Sequence, residues 1–186
     1  MNDAQAETTS EVWPADKPVQ AAWPHNTCYG CGQANPDGHQ LESYLDDDCD
    51  ALVATFDPEP THAAGYPEFA YGGLPASLVD CHSIWTALTF RYADAGRPLL
   101  DDDPLHMYVT GELTTQYLAP TPMDEPIHLR AWVDGDVGPK TQVVCEAGPE
   151  DGDPTVRAEA TAVEMRDPPA IDAASDWTHF QREAKR

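Results

Sequence analysis

The run Tyr71-Gly72-Gly73-Leu74-Pro75-Ala76-Ser77-Leu78-Val79-Asp80-Cys81-His82-Ser83-Ile84-Trp85-Thr86-Ala87-Leu88 joins a glycine turn to an apolar helix. Leu74, Leu78, Cys81, Trp85 and Leu88 recur at three- and four-residue steps, and Val79 and Ile84 widen the stripe. That period predicts a largely buried helix. Pro75 falls in its first turn, where a missing N–H costs nothing. The two glycines let the backbone approach a ligand closely and adopt conformations closed to other residues. First-turn N–H groups have no intrahelical acceptor and sit at the positive end of the helix dipole. A carbonyl oxygen that gains charge would be stabilised against the N–H of Gly73. Asp80 lies two turns on, about 10 Å along the axis at 1.5 Å per residue. It is too far along to serve the same substrate atom easily within one subunit.

On either side of this helix the pattern is that of strands. Leu41 to Leu45 and Ala51 to Phe56 flank the acidic connection Asp46 to Asp50, and Pro58 and Pro60 end the second strand. After the helix, Arg91 to Pro104 reads as a polar loop. Met107 to Leu118, Pro126 to Val133, Thr141 to Ala147 and Thr155 to Met165 then alternate as strands, separated by turns. This order predicts an α+β fold, an antiparallel sheet of about five to six strands wrapped around one long central helix. One helix cannot cover every edge and face of such a sheet, so edge or face pairing into an oligomer is expected. Residues 1–26 read as an N-terminal arm, with Trp13 and Trp23 placed to pin it. Residues 27–167 form the domain and 168–186 a tail with room for a short helix near Trp177 and Phe180.

Charge narrows the partners. The 186 residues carry 33 acidic and 10 basic side chains, a formal net charge of -23. Nucleic acid and anionic membranes are bound through Lys and Arg, so neither is expected as a partner. No apolar run reaches the length of a membrane span. High net charge fits either disorder or an acid-rich surface working in high salt. The acidic clusters alternate with apolar segments, which favours charged loops on a folded core. With three lysines, Lys17, Lys140 and Lys185, the chain resembles proteins of halophilic archaea. The polar, acidic N-terminus lacks the features of a secretory signal, so a cytoplasmic protein is expected. Cys28, Cys31, Cys49, Cys81 and Cys145 make no even disulfide framework and read as free thiols. Cys28 and Cys31 have the spacing of half a zinc site, but no second such pair exists, and His25 or His39 would complete one only through the fold. No metal and no cofactor is expected.

Three collinear motifs carry a family resemblance. They are Gly72-Gly73 followed after six residues by Asp80, Tyr117 followed by Pro120, and Cys28-Tyr29-Gly30-Cys31-Gly32 followed by Asn35-Pro36 and Gly38. Together they resemble the hotdog-fold acyl-CoA thioesterases, specifically the phenylacetyl-CoA-thioesterase-like branch, over roughly residues 27 to 166. The resemblance implies hydrolysis of an acyl-CoA thioester to free acid and coenzyme A, in a homodimer or tetramer with intersubunit sites. The oxyanion would lie at Gly73, and a water would be activated by Asp80 of the facing subunit. It also implies that Thr110 positions that water or carboxylate and that Lys140 meets coenzyme A phosphates. Leu74 is expected to contact substrate, and Trp85, Phe90, Tyr66 and Phe69 are candidates for lining the acyl pocket, with plain core or loop anchors as the alternative. Tyr71 stands where the family has His. A phenol can donate a hydrogen bond but is a poor base near neutral pH, which leaves a non-catalytic acyl-CoA-binding module as the alternative. His62, His82 and His106 are possible substitutes. A hydratase pairing Asp80 with His82 is disfavoured, because the two residues fall on different helix faces. Asp80 as an ordinary solvated helix residue, and Thr110 as an ordinary strand residue, also stay open.

Overall fold

The computed structural model describes residues 12–102 and 104–171. Residues 1–11 and the tail helix expected near Trp177 and Phe180 lie outside the described residues. Six strands form one antiparallel sheet among the described residues: β1 (Ser43–Leu45), β2 (Leu52–Phe56), β3 (Tyr108–Tyr117), β4 (Ile127–Val133), β5 (Lys140–Gly148) and β6 (Val156–Glu164). Their spatial order is β1-β2-β4-β5-β6-β3, with every neighbouring pair antiparallel. The helix α1 (Gly73–Asp94) connects β2 to the far-edge strand β3 and packs on the face made by β3, β4, β5 and β6. This is the hotdog arrangement expected from the sequence.

Period-two alternation explains the packing. Leu52, Ala54 and Phe56 of β2 point to the core, as do Leu129 and Ala131 of β4. On β6 the inward positions beyond Val156 are Ala158, Ala160 and Ala162, each almost wholly buried. Their small side chains let the bulky residues of the helix lie close to the sheet.

The helix is buried on more sides than its apolar stripe indicates. Ser83, Thr86 and Thr89 are fully buried alongside Leu78, Trp85 and Leu88. Ser83 lies against Cys145 of β5, and the N-terminal segment adds Val12, Val19, Cys31 and Leu41 to the same core, with Trp13 and Trp23 packed against it. Thr86 satisfies its hydroxyl by donating to the His82 carbonyl one turn back, at 2.8 Å. The helix also continues to Asp94, past the loop start expected at Arg91. Tyr92 and Ala93 are buried, and Arg91 reaches Glu164 on β6 at 3.5 Å, so the polar-looking end is held in helix.

Candidate active site

The second turn of α1 faces the first residues of β3. Thr110 donates its hydroxyl proton to the Asp80 carboxylate, Oγ1 to Oδ1, at 2.6 Å. β3 bulges next to Thr110: Thr110 pairs with Ala162 and Glu112 with Thr161, so Gly111 is the extra residue. Such a bulge re-aims neighbouring side chains. Two residues 30 positions apart are in contact here.

Asp80 and Thr110 lie in the wall of a cavity of about 730 Å³. Its lining is mostly apolar and includes Trp85, Ile84, Leu88, Val109 and Met165, with Trp23, Asn26 and Tyr29 closing it from the N-terminal segment. Trp85, expected at the substrate, is therefore in the same cavity. Leu74, expected there too, is fully buried in the core. Of the other aromatic residues considered for the pocket, Phe90, inside the helix, is core, and Tyr66, before it, is largely exposed.

The glycine turn is elsewhere. Gly72 borders a separate hollow with Ala70, Pro75, Tyr117 and Pro120. The Tyr117 hydroxyl donates to the Gly72 carbonyl at 2.7 Å, so the far end of β3 props the start of α1. Tyr71 lies across Gly73, where an added Cβ would come within 2.4 Å of its ring. Within one subunit the helix separates Asp80 from the first-turn N–H groups. Lys140 opens β5 at the exposed turn whose Gly138 carbonyl accepts the Tyr108 hydroxyl, and Tyr108 lines the Asp80 cavity.

The histidines resolve differently. His62 is beside Tyr71, whose N–H donates to the His62 carbonyl at 2.9 Å. His106 is taken up by Glu164. His82 points into the core. Its Nε2 donates to the Leu52 carbonyl at 3.0 Å, so its Nδ1 accepts from Ser43 Oγ at 2.8 Å. Burial lowers the His82 pKa to about 4. A neutral ring locked in the interior cannot pair with Asp80, and the hydratase arrangement is absent.

The sequence reading missed one constellation. Cys81, the residue after Asp80, meets Cys28 and Cys31, and the three sulfurs lie within 4.8 Å of one another. Hydrogen bonds from Cys31 and Cys81 hold the Cys28 thiol far below its ordinary value, while the contact with Cys28 pushes Cys81 up. No spacing rule links a helix cysteine to a pair some 50 positions earlier, so only the fold reveals the cluster.

Neither a family model nor a curated protein matches the chain. Solved structures do. A thioesterase superfamily protein from Shewanella loihica is 33% identical, covering 72% of this chain and 97% of its own, with a TM-score of 0.53. A hypothetical thioesterase from Streptococcus pneumoniae, solved with coenzyme A, is 17% identical over 67% of this chain and 85% of its own, with a TM-score of 0.52. A mutant thioesterase from Pseudomonas aeruginosa is 16% identical over 83% and 98%, with a TM-score of 0.58. The last two share the fold. With this fold and one-third identity along nearly all of the Shewanella protein, the chain belongs to the thioesterase superfamily.

Proposed function

We propose that this protein hydrolyses acyl-CoA thioesters, in the manner of the phenylacetyl-CoA-thioesterase-like branch. The observation that carries the reading is the hydrogen-bonded Asp80–Thr110 pair in the wall of a largely apolar cavity. An acyl chain suits that lining, and a carboxylate beside it is placed to take a proton. Coenzyme A in the Streptococcus structure supports the substrate class.

The site is intersubunit. In a homodimer, or a tetramer built from it, the first-turn N–H groups at Gly73 of one subunit face Asp80 of the other. Asp80 accepts a proton as water oxygen bonds to the thioester carbon, and the N–H of Gly73 stabilises the oxyanion. Collapse breaks the C–S bond, and the coenzyme A thiolate takes up the proton. Lys140 meets the coenzyme A phosphates. The chemistry draws on no cofactor, and the acidic surface suits a salt-rich cytoplasm.

Tyr71 favours a second reading, an acyl-CoA-binding module without turnover. One experiment separates the two: short, long and aromatic acyl-CoA esters are presented in molar salt, with binding and release of free thiol followed in parallel. Release of thiol from at least one class is expected. Saturable binding with no thiol release from any ester would establish the binding module instead.

A further inference from the structure

We propose that Cys28, Cys31 and Cys81 are the ligands of a thiophilic divalent cation, such as Zn²⁺, which ties the N-terminal segment to α1 beside Asp80. The sulfurs of Cys28 and Cys81 are 3.7 Å apart, and all three lie within 4.8 Å of one another. Two sulfurs bound tetrahedrally at zinc, each about 2.3 Å from it, stand about 3.8 Å apart. The side chains therefore already hold nearly the spacing that a metal imposes, on two segments fifty or more positions apart. Three thiolates select soft cations over calcium or magnesium.

The surroundings fit ligands better than idle thiols. The Trp85 indole N–H donates to Cys31 Sγ at 3.2 Å, and the Asn26 amide approaches the same sulfur at 3.8 Å. Donors of this kind orient a ligating sulfur and offset its charge. Asn26 also fixes the turn that carries the cysteine pair: its Oδ1 accepts the Cys28 N–H at 2.9 Å, and the Gly32 N–H closes onto the Cys28 carbonyl at 2.9 Å. Between the two cysteines the backbone presses against the helix. A Cβ at Gly30 would come within 2.3 Å of Cys81 Sγ. Among the described residues no histidine or carboxylate joins the group. Three protein ligands leave one position of a tetrahedral ion for water or a small thiol. All three cysteines line the cavity that holds Asp80, and Cys28 is exposed, so that position has a route to solvent.

The test uses the full chain, purified under reducing conditions, stripped with a chelator and titrated with Zn²⁺ against a chromogenic chelator. One bound ion per chain is expected, and Co²⁺ in its place should give a thiolate-to-cobalt charge-transfer band. C28S and C81S should each weaken Zn²⁺ binding by more than about 100-fold, and W85F, which keeps the ligands, by about 10-fold. C49S, in the distant β1–β2 turn, should bind as the unaltered chain does. The proposal is overturned if C28S/C31S/C81S retains the same stoichiometry and affinity. It is equally overturned if the reduced chain binds no Zn²⁺, or if Co²⁺ binds without the thiolate band.

Discussion

Thr110 has one hydroxyl proton and gives it to Oδ1 of Asp80, which leaves Oδ2 as the oxygen free to meet water. Removing the carboxylate and removing its partner should therefore differ in degree. D80A is expected to lower turnover by at least about 100-fold, as loss of a general base does. T110V, which loses a hydrogen bond to a charged group, should lower it by about 10-fold. Steady-state kinetics on both variants checks this, and D80A with unaltered turnover would remove Asp80 from the mechanism. His82 sets a pH dependence of stability. Its folded pKa of about 4 lies below the ordinary 6.5, so the unfolded chain binds the proton more readily. Stability is full above about pH 6.5 and falls towards pH 4, by about 3 kcal/mol from this residue. Urea midpoints across that range should fall for the native chain and stay flatter for H82Q. At this scale the spacing after Gly72-Gly73 singled out Asp80 in the sequence, whereas Thr110 read equally as an ordinary strand residue until the fold set it beside that carboxylate. It was silent on Cys81 and on the Tyr117 prop beneath Gly72, because both contacts join residues that only the sheet and helix bring together.

The elements were largely legible. Each strand lies within about two residues of where its pattern places it, and β2, β4 and β6 alternate buried with more exposed positions because one face of each is turned to the core. The end of α1 was not, since Arg91 and Asp94 look like loop residues until Arg91 is seen between Asp94 and Glu164. β3 shows what a single chain leaves unfinished. It is ten residues long, lies at the sheet edge, and exposes Val109 and Tyr117, with Leu118 just beyond it. A long edge with apolar side chains is a template for pairing, which supports the proposed dimer. V109K places a charge on that edge and should shift the protein towards monomer by light scattering. An unchanged dimer mass would place the interface elsewhere.

For the whole molecule, the proposed site makes a combinatorial prediction. D80N and G73V chains should each be inactive alone. Mixed and reassociated in equal amounts, they should recover about a quarter of native activity, because a mixed dimer rebuilds one intact site of two. No recovery, with mixed dimers verified by mass, would place both groups in one subunit. Net charge makes another prediction. With -23 on the chain, screening by molar KCl should raise the thermal midpoint relative to low salt. A midpoint that falls with salt would remove the case for salt adaptation. The N-terminal segment has a further consequence, for where this chain can be cut. Gln20 is fully buried, donates to Ser43 Oγ at 3.0 Å and accepts the Ser43 N–H at 2.8 Å, at the head of the hydrogen-bond chain that ends on Leu52. An expression boundary drawn at residue 27, where the family motifs start, would strip the buried Ser43 N–H of its acceptor and leave the Ser43 hydroxyl with His82 alone. The orphaned N–H costs about 1–3 kcal/mol, so the trimmed protein should express poorly despite retaining every motif.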